Sequence, residues 1–132
     1  MRAGLKILSL SVLSLVLCGF SSSLTVKVSQ DLGGVPVFEI SKNSTSRPGD
    51  GVEINVLLVV QKNASGEWDY KKPLWEFKLD PGSAKALSTV TYGSLPDGFT
   101  EVVKASSLVR GTHYLVACRG PGAGGSSEFI VR

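Results

Sequence analysis

The feature that most constrains the fold is an alternation of apolar and polar residues that begins at Leu24 and recurs along the chain. In "LTVKVSQ", residues 24–30, every second residue is apolar, and the same period appears in "PLWEFKL" and "THYLVACR". A period of two places apolar side chains on one face of a β-strand, whereas a helix needs a period of 3.6. No window after Leu24 carries a helical stripe. The sequence therefore predicts an all-β protein.

Turn-forming residues separate these strands at short intervals, as in "DLGG", "KNASGEW", "LPDGF" and "GPGAGG". About seven to eight short strands punctuated in this way are typical of an antiparallel sandwich. We expect one β-sandwich domain over residues 24–132, in which "VLLVV" forms a central strand covered on both faces. Pro36 predicts an edge position for the second strand, because proline cannot donate a hydrogen bond to a ladder.

The first 23 residues have the layout of a secretory signal peptide. Arg2 and Lys6 precede the uncharged run "ILSLSVLSLVLCGF", and small residues follow it. The run is shorter than the roughly 20 residues of a membrane-spanning helix. We expect cleavage within residues 18–23 and an exported chain, periplasmic or extracellular. The formal net charge is +3, so loss of the two basic residues leaves +1, which gives no electrostatic reason to expect nucleic-acid binding.

Cys18 leaves two routes open at the end of this leader. A bacterial lipoprotein signal places an acylated cysteine after a short apolar and small-residue box, here "LVLCG", and the lipid would tether the domain to a membrane surface. Leu17 departs from that signal, because Gly, Ala or Ser is usual at its position. Ordinary cleavage before Ser22 or Leu24 is the alternative. Membrane contact is expected only through a lipid on Cys18.

The only histidine and the second cysteine both lie in "THYLVACR". His113 and Cys118 are five residues apart, so in a regular strand they point to opposite faces and cannot form a Cys–His pair. Tyr114, Val116 and Cys118 share the better apolar face, and we expect Cys118 to be buried as a small hydrophobe. One histidine and one mature cysteine do not complete a zinc site. We expect no metal and no cofactor, and the unpaired Cys118 leaves a dimer open.

"LVRGTHYLV" resembles the L-x-P-G-T-x-Y-x-V stretch that enters the penultimate strand of fibronectin type III domains. The matching positions are Leu108, Gly111, Thr112, Tyr114 and Val116, and Arg110 replaces the proline. The resemblance implies an immunoglobulin-like sandwich in which the Tyr114 ring packs in the core and its hydroxyl bonds back to the backbone near Leu108. Upstream, a "W-x-F … TYG … GF" layout is similar to that of small uncharacterised bacterial exported proteins and lipoproteins. Neither resemblance implies an activity.

We therefore expect a non-catalytic exported protein of the cell envelope, binding or structural in role, with an envelope protein or a glycan as partner. A carbohydrate-binding module is the first alternative, because Trp68 and Tyr70 in "GEWDYKKPLW" could stack on sugars from one face of an extended segment. Burial of these rings at the sandwich edge is the structural alternative. A small hydrolase using two carboxylates is the second alternative. Asn43 and Asn63 match glycosylation acceptors.

Overall fold

The computed structural model describes residues 22–42 and 51–132, and these residues form strands and turns without a helix. The strands pair almost entirely in antiparallel fashion and lie in sheets that enclose one apolar core. The predicted all-β antiparallel sandwich is therefore confirmed. Cys18 and Asn43, together with the leader up to residue 21, lie outside the described residues.

Eleven strand segments in the described residues form three sheets. The six-stranded sheet contains, in spatial order, β1 (Ser22–Ser23), β11 (Ala123–Ile130), β10 (His113–Gly120), β5 (Val56–Gln61), β6 (Trp75–Lys78) and β9 (Thr100–Val103). The three-stranded sheet contains β2 (Thr25–Gln30), β3 (Pro36–Ser41) and β8 (Thr89–Thr91), and the third sheet pairs β4 (Val52–Ile54) with β7 (Lys85–Leu87). Only β1 and β11 run parallel to each other among these described pairs.

Three strands are interrupted at one residue each. Leu24 separates β1 from β2, Asn55 separates β4 from β5, and Ser88 separates β7 from β8. At each interruption the chain leaves one sheet and joins another. Counting each interrupted pair as one strand gives eight strands, which is the upper end of the predicted number.

The core lies between the six-stranded and three-stranded sheets. Phe38 of β3 and Phe129 of β11 meet edge to face across this space, with their ring centroids 5.5 Å apart. The apolar faces predicted from the alternation are confirmed, because Trp75, Phe77, Tyr114, Val116 and Cys118 are all buried. Removal of this apolar surface from water is the main favourable term in folding.

β5 has the central position predicted for "VLLVV", with β10 on one side and β6 on the other. Leu57 and Val59 face the core, and Val60, on the opposite face, is also fully buried. The prediction that Pro36 marks an edge strand is wrong, because β2 and β8 flank β3. Proline is tolerated there because Pro36 begins the strand, where its carbonyl accepts the Tyr92 N–H and no donor is required.

β1 brings two serines into the domain ahead of the boundary predicted at Leu24. Ser22 and Ser23 pair in parallel with Ala123 and Gly124. The Leu24 N–H then donates to the Gly124 carbonyl at 3.0 Å. Cleavage before Ser22 would therefore keep β1 in the mature domain, and cleavage before Leu24 would remove it.

Candidate functional site

The aromatic turn, which we define as residues 62–72, carries both aromatic residues predicted to bind a ligand. Lys62 and Trp68 pair across a tight hairpin. The Asn63 side-chain oxygen accepts two backbone N–H groups of the loop, at 2.9 and 3.1 Å. Gly66 has a φ of 81°, a conformation that glycine adopts without steric cost. These features shape the turn that places Trp68 opposite Lys62.

The two rings of the aromatic turn have different surroundings. Trp68 is half-buried, and the Lys62 ammonium lies 5.2 Å from its ring centroid, over one ring face. Tyr70 is 54% exposed. The Asp69 side chain accepts the Lys71 N–H at 3.3 Å and a turn begins at Tyr70. The extended segment predicted to run through both rings therefore ends before Tyr70.

His113 and Cys118 lie at different depths on β10. His113 is exposed, whereas Cys118 is only 4% exposed and belongs to the core. Burial raises the pKa of the Cys118 thiol from 9.0 to about 11. Because the thiolate is the reactive form of cysteine, this environment keeps Cys118 unreactive at neutral pH.

We expect iodoacetamide at pH 8 to label Cys118 about 100-fold more slowly in the folded protein than in denaturant, because the raised pKa lowers the thiolate fraction by that factor. The neutral thiol is the form that fits the core. Burial of the neutral Cys118 thiol therefore stabilises the folded state fully below pH 9, and this stabilisation is lost as the pH rises through about 11. Mass spectrometry of the peptide that contains Cys118 measures the labelling. Equal rates in the two states would contradict the buried position.

Two tyrosines anchor the segment that leads into β10. The buried Tyr114 accepts the Val109 N–H on its hydroxyl oxygen at 2.7 Å, and Leu108, the preceding residue, packs partly buried against the core. Tyr92 donates its hydroxyl to the Ser106 carbonyl at 2.7 Å, and burial raises its pKa to about 12. Both hydroxyls are thus used to fix backbone and have a structural role.

A groove, which we call the edge groove, runs between the neighbouring edges of two sheets, formed by β2 and β11. Its volume is about 1210 Å³. At one end the Leu24 N–H bonds to the Gly124 carbonyl. At the other end the Gln30 side chain donates to the Ile130 carbonyl at 2.8 Å and accepts the Arg132 N–H at 2.9 Å. The Gln30 amide thus takes the place of a backbone peptide group and joins β2 to β11.

Between these two ends, β11 turns backbone groups toward the groove. The direction of the N–H and C=O groups alternates along an antiparallel strand. Because the Gly124 and Ile130 carbonyls point to β2, the N–H and C=O groups of Ser126 and Glu128 point the same way. The Ser127 hydroxyl lies 3.5 Å from the Glu128 carbonyl, a long contact. β11 therefore presents two residues with strand-like donors and acceptors to the groove.

β2 presents a second strand edge to the same groove. The Asp31 N–H bonds to the Val35 carbonyl across the β2–β3 hairpin at 3.0 Å. By the same alternation, the backbone groups of Val26 and Val28 point away from β3 and toward the groove. The Val26 side chain is buried and that of Val28 is half-buried. The groove thus lies between two edges that could each pair with a further strand.

Charged side chains line the edge groove unevenly. Lys27 and Glu39 are direct partners across the β2–β3 pair, where opposite charges stabilise each other. Glu128 stands on β11. Arg110 and Arg132 line the end of the groove near Gln30, and both also line an adjoining cavity of about 390 Å³. Two basic residues therefore line that end of the groove, together with the acidic Asp31.

The side chains that could bind a metal ion are dispersed over the described part of the chain. Within residues 22–42 and 51–132, no three His, Cys, Asp or Glu side chains lie close enough together to hold a metal ion. In the same residues every buried side-chain nitrogen or oxygen has a hydrogen-bond partner. Those residues also contain no helix of the length and hydropathy needed to cross a membrane.

No family model, curated protein or solved structure matches this chain. Function must therefore be argued from the site and not from a relative. The sequence predicted the aromatic turn as a candidate site, because its residues are neighbours in the chain, and did not predict the edge groove, whose two strands are about one hundred residues apart. The one signal that could have found it is the immunoglobulin resemblance, because the first and last strands of such a sandwich are sheet edges.

Proposed function

We propose that this chain is a non-catalytic, exported β-sandwich protein of the cell envelope that binds a partner through the edge groove. The observation that carries the proposal is the pair of strand edges, β2 and β11, that face one groove and are joined at both of its ends. The unpaired N–H and C=O groups of a strand edge can form hydrogen bonds with another chain, and proteins either cover such edges or use them for recognition.

The sandwich is, in this proposal, immunoglobulin-like and of the fibronectin type III kind. β10, which contains Tyr114, lies between β5 and β11. This order corresponds to the neighbouring third, sixth and seventh strands of an immunoglobulin sandwich. The bond between the Tyr114 hydroxyl and the Val109 N–H supports the same assignment.

Export rests on the leader at residues 1–23. The mature protein is either soluble, after cleavage near Ser22, or tethered through an acylated Cys18. Retention of β1 favours cleavage before Ser22 over cleavage before Leu24, because Ser22 and Ser23 pair with β11. In both versions the edge groove lies in the exported domain.

Carbohydrate binding by the aromatic turn is the second candidate function. The exposure of Tyr70, at 54%, favours it, because a sugar could stack on the ring. The Lys62 ammonium over Trp68 argues against stacking on that face of the indole. The edge groove is therefore the better supported site.

The test is site-specific photo-crosslinking in the native host. A photo-reactive residue replaces Glu128 in the groove, Tyr70 on the aromatic turn, or Thr89, an exposed residue of β8 that serves as the matched control. After irradiation, membrane and soluble fractions are separated, and intact mass gives the mature N-terminus in each fraction.

We expect one discrete adduct from the Glu128 position and none from Thr89, on a chain that begins at Cys18 with acyl mass or near Ser22 without it. An adduct with glycan from Tyr70 alone would favour the second candidate. A protein that retains residue 1 would contradict export, and equal adducts at Glu128 and Thr89 would contradict a specific groove.

A further inference from the structure

The geometry points to strand addition: we propose that the edge groove takes an extended polypeptide segment that pairs with β11 and places an acidic side chain against Arg110 and Arg132. The inference rests on the proposed function and names its ligand. Added strands are held by main-chain hydrogen bonds, and alternate side chains provide specificity.

The backbone of β11 carries the first part of the inference. Ser126 and Glu128 each turn one N–H and one C=O toward the groove, two residues apart. This spacing matches the repeat of an extended chain, in which every second residue faces the same way. A sugar ring or a phosphate has no such repeat of alternating donors and acceptors. A polypeptide backbone does, so it is the complementary ligand.

The closed ends of the groove set the length of the segment. The Leu24–Gly124 bond closes one end, and the Gln30 side chain closes the other at Ile130. Five residues of β11, 125–129, lie between them, which at about 3.4 Å per residue corresponds to roughly 17 Å. The site therefore accommodates about five residues in extended conformation, and the rest of a longer partner would extend into solvent.

The side chains that flank the groove indicate the character of the segment. Inward-facing residues of an added strand would contact the half-buried Val28 and Ser127 and the buried Phe129. Small or apolar residues fit there. Outward-facing residues would lie near Lys27 and Glu128, which carry opposite charges, so polar residues of either sign fit at those positions.

Basic residues at the Gln30 end of the groove indicate that the added segment carries an acidic side chain there. Arg110 and Arg132 line this end together with Asp31 and the exposed His113. The Asp31 side-chain oxygen already accepts the backbone N–H groups of Gly33 and Val35, both at 2.9 Å. Because the Asp31 carboxylate is already engaged, a carboxylate on the segment would complement the two basic residues, Arg110 and Arg132, that line this end.

The opposite edge of the six-stranded sheet is protected against the same kind of pairing. β9 contains a bulge, because Phe77 pairs with Glu101 while the adjacent Glu76 pairs with Val103. The skipped residue, Val102, is 46% exposed. A bulge twists an edge and disrupts its regular pairing. β11 has no such irregularity in its register with β10, so it is the edge suited to receive a strand.

The experiment screens purified mature protein against a library of random seven-residue peptides, and amide hydrogen exchange then locates the strongest binders. Two variants are compared. Ser126→Pro removes a donor that faces the groove and leaves the ladder with β10 intact, which proline tolerates on an edge. Ser126→Ala keeps the donor and is the matched control. A copy of the best peptide, N-methylated at alternate residues, tests backbone pairing without altering the protein.

We expect the selected peptides to carry an acidic residue at one end and to protect the amides of Ser126 and Glu128. Ser126→Pro should weaken binding roughly tenfold, and N-methylation in one of the two alternate registers should do the same, because each removes hydrogen bonds of this size. Ser126→Ala should stay within about twofold. Arg110→Gln should remove the preference for the acidic residue.

The proposal is overturned if no peptide is enriched, if N-methylation in both registers leaves binding unchanged, or if protection falls on β9. Loss of folding in Ser126→Pro leaves the N-methylated peptide as the deciding measurement. A non-peptide adduct at Glu128 in the crosslinking experiment would retain the proposed function and reject strand addition. Absence of both adduct and peptide would reject both.

Discussion

Trp75→Ala is expected to lower the free energy of unfolding by roughly 3–5 kcal/mol, the range for truncation of a large buried aromatic residue. Trp75 is completely buried on β6, and its ring meets Phe77 and Tyr92 edge to face, with centroids 5.0 and 5.2 Å apart. Its indole N–H donates to Glu101 on β9 at 2.9 Å. Alanine would leave a cavity and remove the donor for that carboxylate.

Urea unfolding followed by far-ultraviolet circular dichroism measures this loss, because Trp68 complicates fluorescence. Two variants separate its causes. Trp75→Phe retains most of the ring volume but loses the N–H, and should cost less than half as much. Glu101→Gln retains an acceptor for the indole and should change stability by less than about 1 kcal/mol. A loss under about 1 kcal/mol for Trp75→Ala would be incompatible with the packing described for this side chain.

Gly120→Ala is expected to lower the free energy of unfolding by roughly 3 kcal/mol, at the upper end of the range for overpacking. A Cβ atom at this end of β10 would overlap the Glu53 carbonyl and its carbon, and would lie 3.5 Å from the Ile54 Cα. These atoms are backbone, so the strands themselves would have to separate. The adjacent bond from the Asn55 N–H to the Arg119 carbonyl, at 2.8 Å, would be strained with them.

Gly124→Ala is the matched control for Gly120→Ala. Both glycines lie in the hairpin formed by β10 and β11, and neither has a positive φ. A Cβ at position 124 would approach only the Cys118 carbonyl, at 3.6 Å, which is ordinary contact. We expect Gly124→Ala to change the free energy of unfolding, measured by urea titration, by less than about 1 kcal/mol. Similar losses in the two variants would mean that space at Gly120 is not the cause.

The strands and the core face of this domain could be predicted from the sequence because both are local properties. The alternation alone placed Trp75 and Phe77 on one buried face and separated His113 from Cys118. The positions at which the chain changes sheets, Asn55 among them, were not predictable, because a break within an apolar run depends on which strands are available to pair. The prediction of an edge strand at Pro36 was wrong for the same reason, because that strand pairs with a second neighbour, β8, from about fifty residues downstream.

The same difference between local properties and strand pairing separates the two candidate sites. The aromatic turn was accessible to sequence reasoning, since Trp68 and Tyr70 are two residues apart beside a hairpin. The exposure of each ring was not, because the hairpin places the Lys62 ammonium over Trp68. The edge groove required knowledge of the sheet order. Nothing in "TVKVSQ" or "SSEFIVR" alone indicates that Gln30 reaches Ile130.

The bonds that close the edge groove connect residues one hundred positions apart, Leu24 to Gly124 and Gln30 to Ile130. During synthesis β2 and β3 can pair once residue 41 has emerged, but β11 does not exist until residues 123–130 follow. At about 5–20 residues per second the wait lasts roughly 5–20 s. β10 emerges only at residue 120, and until β11 follows, the outer edge of β10 is an unpaired template for neighbouring chains. Nascent chains of this protein are therefore most prone to aggregate after β10 has emerged and before β11 pairs with it, and assistance from a chaperone would matter most then.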